Sequence, residues 1–170
     1  MTRTKSRIVL RPLAAADLRE FVEAVRQSRK LHRPWTAPPS TPAEFRTYLK
    51  RMAPPANRAF LVCARDDGAI VGVFNVTHII MARFCSAYLG YYAFAPHARR
   101  GLMREGLEAL LRHAFGWMKL HRLEANIQPG NRASIALVKS CGFAKEGFSP
   151  KYLKIGGRWR DHERWAIIAR

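Results

Sequence analysis

Residues 88–101 read Tyr88-Leu-Gly-Tyr-Tyr-Ala-Phe-Ala-Pro96 and then His97-Ala-Arg-Arg-Gly101, and a long amphipathic segment, Leu102 to Leu120, follows. The apolar run predicts a buried strand. Leu107, Leu110, Leu111, Ala114, Phe115 and Met118 fall at i, i+3/i+4, i+7 spacing and predict a helix packed on one face. A strand that hands a glycine-containing basic turn to a helix N-terminus makes an anion site. The first-turn N–H groups lack intrahelical partners, and the macrodipole is positive there. Arg99, Arg100 and Arg104 add formal charge at that spot. The same residues also fit an ordinary strand–turn–helix with solvated arginines, and this stretch alone does not separate the two.

Upstream, Arg7 to Pro12 predicts a short strand halted by proline, and Ala14 to Ser28 a helix with Leu18, Phe21, Val22 and Val25 on one face. His32 to Pro39 holds three prolines and is expected to be irregular. Thr41-Pro-Ala-Glu44 has the form of a capping box with proline just inside the start, so a second helix is expected to about Met52. Ala59–Arg65 and Ala69–Ile80 predict two strands joined at Asp66-Asp-Gly68. Downstream, His121–Gln128 predicts a strand, Asn131 an N-cap for a helix through Ser140, and Gly142 its C′ residue. Ala144–Ile155 and Arg158–Ile168 predict a final hairpin turning at Gly156-Gly157. The order β-α-α-β-β-β-α-β-α-β-β argues for one mixed α/β domain over residues 1–170.

With 170 residues, 48% of them hydrophobic, the chain can bury a proper core. It has no run of eighteen apolar residues, so no transmembrane helix is expected. Met1 to Arg7 lacks the apolar core of a signal peptide, which makes the cytoplasm the expected compartment. Cys63, Cys85 and Cys141 are widely spaced and form no C-x-x-C pair, so neither a disulfide framework nor a metal site is expected. The formal charge of +18 biases the protein toward polyanions or acidic surfaces. It is uneven: residues 1–58 hold thirteen Lys/Arg against four acids, 59–110 five against four, and 111–170 twelve against four. Nucleic acid accounts for such a balance, an anionic cofactor for part of it, and a merely soluble basic surface is the plain alternative.

Several motifs together resemble the GNAT superfamily of acetyl-CoA-dependent N-acetyltransferases. They are Leu89-Gly-Tyr91, the Arg99-Arg-Gly-Leu-Met103 turn, and Asn131-Arg-Ala-Ser-Ile-Ala-Leu137 with Cys141-Gly-Phe143. Arg33-Pro-Trp35, Glu146-Gly147 and Trp159-Arg-Asp-His162 extend the likeness to the RimJ/RimL ribosomal-protein branch, over nearly the whole chain. The resemblance implies a mixed α/β sheet of about seven strands, mostly antiparallel with a central splayed parallel pair, flanked by about four helices. It implies that Arg99, Arg100, Gly101, Leu102, Met103 and Arg104 hold the CoA pyrophosphate through their amides. The splayed strand, Tyr92, Ala93, Phe94 and Ala95, would pair with the pantetheine arm, and Asn131 and Ser134 would contact it from the following helix. Two departures stand out. The family's Q/R-x-x-G-x-G/A run is Ala98-x-x-Gly101-x-Met103 here, so a polar residue and a small residue are both replaced.

Acetyl transfer needs a neutral amine, a polarised thioester and a proton for the leaving thiolate, with acid–base help of roughly 10²–10⁴-fold. The tyrosine that many relatives use as the acid is Val138 in this chain, and Ser134 is the replacement expected. An N-terminal hydrogen bond of the helix is the plainer role for Ser134. Where RimL-like relatives carry an acidic residue the chain has Ser149-Pro-Lys151, which leaves Glu124, Tyr88 or a water chain as base. A lone glutamate on a half-buried strand also serves as a salt-bridge partner. Trp35 and Tyr91 are candidates to wall an acceptor groove, with Tyr92 and Trp159 as further aromatics, and core packing is the competing role. The expected substrate is the N-terminal α-amine of a protein, a ribosomal one by resemblance. A small-molecule amine is the alternative within the same chemistry, and a ribosome- or RNA-binding factor the alternative outside it.

Overall fold

The structure, a computed structural model, describes residues 6–170. Residues 1–5, on which the expectation of a missing signal peptide partly rests, lie outside it. Seven strands form one sheet: β1 (Ile8–Pro12), β2 (Arg58–Ala64), β3 (Ile70–Ile80), β4 (Ser86–Ala93), β5 (Arg122–Ile127), β6 (Ala144–Ile155) and β7 (Arg158–Ile168). Their order across the sheet is β1-β2-β3-β4-β5-β7-β6. Every neighbouring pair is antiparallel except β4 and β5, which run parallel. Five helices flank the sheet: α1 (Leu18–Gln27), α2 (Arg29–His32), α3 (Pro42–Arg51), α4 (Leu102–Gly116) and α5 (Arg132–Ser140). The one beyond the expected four is α2, a single turn that ends where the proline-rich stretch begins.

The two faces of the sheet bury separate cores. One face packs Phe74, Val76, Leu89, Leu123 and Ala125 under α4 and α5. The other packs Leu61, Val73 and Phe94 under α1 and α3, with Phe21 and Phe45 in edge-to-face contact at 5.0 Å. Alternation along each strand assigns the faces. Tyr91, Leu89 and Ala87 therefore look toward α4 and α5, while Tyr92, Gly90 and Tyr88 look toward α1 and α3.

Local signals set the boundaries. Thr41 accepts from the Glu44 amide and Glu44 returns a carboxylate to the Thr41 amide, the reciprocal box expected, with Pro42 at the first helical position. Helix α4 stops at Gly116 instead of Leu120. Lys119 turns left-handed at φ 56°, and the Leu120 amide reaches back to the Ala114 carbonyl at 3.0 Å, a chain reversal made without glycine. Gly142, at φ 91°, closes α5 as expected, with the Phe143 amide on the Val138 carbonyl. Gly156 and Gly157 both have positive φ, as a primed hairpin turn requires. Pro150 cannot donate to the ladder, and the β6–β7 register shifts between Ser149 and Leu153, where the Lys151 amide is satisfied by Asp161 Oδ1 at 2.8 Å.

Candidate active site

The parallel pair is short. Ser86, Ala87 and Tyr88 register with Arg122, Leu123 and Glu124, and beyond these the two strands part. β4 runs on to Ala93 and β5 to Ile127 with no partner between them. The gap opens into a cavity of about 460 Å³. Tyr91, Tyr92 and Ala93 line it from β4, Ala98 to Arg104 from the turn and α4, Asn131, Ser134 and Leu137 from α5, and His32 and Trp35 from the α2 segment. That is a volume suited to a drug-sized or cofactor-sized molecule.

The turn is shaped for an anion. Gly101 is the N-cap of α4 at φ 77°, and it brings no side chain to cap the helix. The amides of Leu102, Met103 and Arg104 therefore stay free at the positive end of the dipole. Arg99 is left-handed too, at φ 61°. Behind the turn, Arg7 donates its Nε to Glu105 Oε1 at 2.6 Å and a second guanidinium nitrogen to the Arg100 carbonyl at 3.2 Å. This clamp engages the Arg100 carbonyl and ties the turn to the start of β1. Burial pushes the Glu105 carboxyl up, but the Arg7 main-chain and guanidinium bonds outweigh that and hold it low. Nothing in the sequence pattern pointed to Arg7 or Glu105, because they lie 98 positions apart.

Met103 does not obstruct the turn. Its side chain is buried and turns into the sheet against Gly72, where an added Cβ would overlap Met103 Sδ and the Tyr92 carbonyl. A glycine on β3 thus makes room for a large residue in the family's small-residue position. Cradle, open strand edge and free amides together fit the pyrophosphate and pantetheine of CoA.

The expected strand-edge contacts narrow to Tyr92 and Ala93. Phe94 is fully buried against Phe21, and its amide already donates to the Val71 carbonyl at 2.8 Å. The Ala95 amide is taken by Ser28 Oγ at 2.9 Å. Even the Ala93 carbonyl is engaged, by His32 Nε2 at 2.8 Å. A carbonyl only accepts, so His32 carries its proton on Nε2. Its ring is 4% exposed, and burial lowers its pKa despite the opposing bond to Ala93.

On the α5 side, Asn131 caps the helix by accepting from the Ser134 amide at 3.2 Å. The Ser134 hydroxyl donates to the Tyr91 phenol at 2.7 Å, and the phenol donates to the Ser134 carbonyl at 2.9 Å. Tyr91 was expected to wall an acceptor groove. It lines the cavity from the α5 side, its ring against Phe74, and burial raises its pKa, partly countered by the Ser134 bond. Sequence spacing could not show which face of β4 would carry it.

On the opposite face, Glu124 stands at the last paired step before the strands part. Its Oε2 accepts from Arg122 at 2.9 Å, and the same guanidinium binds Glu146. The salt-bridge role is therefore occupied, and Glu124 does not line the cavity. Trp35 covers the far wall: Gln128 donates to its carbonyl at 3.2 Å, and its ring lies over Gly130. Trp159, by contrast, is neither groove wall nor core, being 61% exposed near the β6–β7 turn. Among the described residues no helix is long and apolar enough to cross a membrane.

Comparison with known proteins agrees with this geometry. Residues 7–144 match the acetyltransferase (GNAT) domain. The chain is 32% identical over 121 residues to the probable N-acetyltransferase YjcK of Bacillus subtilis, covering 71% of this chain and 67% of that protein. It is 39% identical over 102 residues to the [ribosomal protein uS5]-alanine N-acetyltransferase of Escherichia coli, covering 60% of this chain but only 53% of the enzyme. In structure it is similar to Mycobacterium smegmatis RimJ in complex with CoA-disulfide, with a TM-score of 0.87 at 25% identity over 95% of this chain and 82% of that one. Spermidine N-acetyltransferase of Vibrio cholerae, in complex with CoA and spermine, superposes with a TM-score of 0.81 at 24% identity over 96% of each chain. The chain belongs to the GNAT family of acetyltransferases, enzymes that use acetyl-CoA.

Proposed function

We infer that residues 1–170 form a single acetyltransferase domain that acetylates the N-terminal α-amine of a protein, a ribosomal protein being the substrate class favoured. The observation that carries this reading is the splayed β4–β5 pair, which gives a reacting centre access from both faces of the sheet. The turn at Gly101 and the edge of β4 hold the acetyl donor, and the donor supplies an activated thioester. On the α5 face the Ser134 hydroxyl turns from Tyr91 to the leaving sulfur and relays to it the proton that the attacking amine sheds, so that the serine keeps a proton throughout. Tyr91 stands behind Ser134 and stays protonated, which keeps a donor beside it. On the other face the incoming ammonium sheds its proton through water, since Arg122 already engages Glu124, the carboxylate first considered as base. Most of the rate gain in this scheme comes from placing amine and thioester together, with acid–base help adding roughly 10²–10⁴-fold.

The alternative acceptor is a small amine, and the similarity to spermidine N-acetyltransferases raises it. A polyamine needs unpaired carboxylates to bind its several charges. Glu124 and Glu146, on the acceptor face, both spend their charge on Arg122. With a net charge of +18, that favours an acceptor with a single amine. CoA release with alanine- and serine-initiated peptides, their N-blocked counterparts and spermidine distinguishes the readings. Turnover on free peptides alone is expected; turnover on spermidine alone reverses the assignment.

A further inference from the structure

The end of the sheet opposite the cavity gathers four segments that acetyl transfer does not use. Residues 52–57 lead into β2, 81–85 join β3 to β4, 117–121 join α4 to β5, and 169–170 follow β7. They are tied to one another. The Ile79 amide donates to the Ala56 carbonyl at 2.9 Å, His121 to Cys85 at 2.6 Å and Ala169 to His121 at 2.8 Å. The Arg58 guanidinium lies over the Trp117 ring, 5.9 Å from its centroid. β4 and β5 both start here, at Ser86 and Arg122, and both run toward the cavity. At about 3.3 Å per residue, Ser86 is roughly 23 Å from Ala93.

The composition of this end is one-sided. Arg51–Arg58, His78–Ser86, Arg112–Arg122 and Ile168–Arg170 contain no aspartate or glutamate. They contain Arg51, Arg58, Arg83, Arg112, Lys119, Arg122 and Arg170. Among the described residues, Arg122 alone of these reaches a carboxylate within ion-pair distance. Two aromatic rings stand among the free cations, Phe84 at 69% exposed and Trp117 at 68%. His113 stacks parallel to Trp117 with centroids 5.1 Å apart, which holds that ring in place while most of it stays open. The backbone is held in fixed shapes as well: His78, Ala82, Cys85 and Lys119 are all non-glycine residues at positive φ.

A protein interface loses charge toward its centre. Here unpaired cations alternate with largely exposed aromatic rings, and the acids that reach this end, Glu124 and Glu146, sit on Arg122, a combination that tracks a phosphate backbone and stacks its bases. We propose that this end of the sheet docks single-stranded nucleic acid, with phosphates on Arg83, Lys119 and Arg170 and unstacked bases on Phe84 and Trp117. The cavity at the far end stays open while it does so, and the proposal is independent of which amine is acetylated.

Fluorescence anisotropy with a short mixed-sequence RNA and its DNA counterpart, across a salt series, tests this. Phe84→Ala and Trp117→Ala are each expected to weaken binding by about fivefold or more. Arg83→Gln and Lys119→Gln are each expected to lower the slope of log affinity against log salt by about one. Arg46→Gln, on the exposed side of α3, is expected to leave affinity within about twofold, and acetyl-CoA affinity is expected to hold in every variant. Absence of binding at moderate ionic strength overturns the proposal. So does binding that Arg46→Gln weakens as much as Phe84→Ala, which would place the contact elsewhere. A dimer lost in Phe84→Ala on sedimentation, with nucleic-acid affinity unmoved, assigns the patch to a second copy and also overturns it.

Discussion

Ser134 and Tyr91 are joined twice: the serine hydroxyl donates to the phenol, and the phenol donates to the main-chain carbonyl of the same serine. The link bridges α5 and β4 across the cavity wall, 43 positions apart in the chain. It fixes the first turn of α5, whose N-cap is Asn131, against the strand whose edge is open. It also gives Ser134 a neighbour that retains its proton, since burial raises the Tyr91 pKa.

Removing either partner therefore separates chemistry from binding. Ser134→Ala is expected to lower kcat by about a hundredfold, within the range of acid–base catalysis, with acetyl-CoA affinity nearly unchanged. Tyr91→Phe is expected to lower kcat about tenfold and stability by about 1 kcal/mol for the lost buried bonds. Steady-state kinetics with isothermal titration of acetyl-CoA reads both. A Ser134→Ala enzyme with full kcat leaves the serine only its place in the helix turn.

The Gly101 turn predicts a binding defect. At φ 77° an alanine is strained by about 1–2 kcal/mol, and its Cβ would come within 3.3 Å of the Arg7 guanidinium. Gly101→Ala is expected to weaken acetyl-CoA by about tenfold, with kcat at saturation largely kept. Unchanged affinity would place the donor's phosphates away from this turn.

Gly72 is a structural counterpart. An alanine there meets both the flexible end of Met103 and the rigid Tyr92 carbonyl. Gly72→Ala is expected to lower the thermal midpoint clearly, with a penalty of about 1–3 kcal/mol for overpacking. Adding Met103→Ala relieves the side-chain clash alone, so recovery is expected to be partial. Full recovery would show that the strand itself yields.

His32 ties stability to pH. Burial lowers its folded pKa below the ordinary value near 6.5, so the fold prefers the neutral ring. Its contribution is complete above the unfolded value and is lost as pH falls through the lowered folded value. Urea midpoints are expected to fall on acidification below about pH 6.5, and to fall less in His32→Phe. His113 shifts the same way, through burial and then Arg58, so His113→Ala is the necessary control. Identical acid profiles for wild type and His32→Phe would remove the histidine from the linkage.

Much of this was legible because the signals were local. Thr41-Pro-Ala-Glu44, Asn131, Gly142 and the Gly156-Gly157 pair each dictate a backbone conformation within a few residues. Gly101 and the charged turn pointed to the proposed anion site in the same way. What depends on long-range pairing was not legible. Arg7 clamping Glu105, Tyr91 meeting Ser134, and Arg122 claiming both Glu124 and Glu146 join residues that only the sheet order brings together. The expected span of β4 and α4 overran for a related reason. An apolar run does not show where Phe94 turns into the core or where Lys119 adopts a left-handed angle.

The most direct test of the central claim is where the acetyl group lands. A peptide with a free N-terminal alanine and an internal lysine, incubated with acetyl-CoA and the protein, is read by fragment mass spectrometry. A single acetyl on the α-amine is the expected result. Acetyl on the lysine side chain, or none although acetyl-CoA binds and spermidine is turned over, would contradict it.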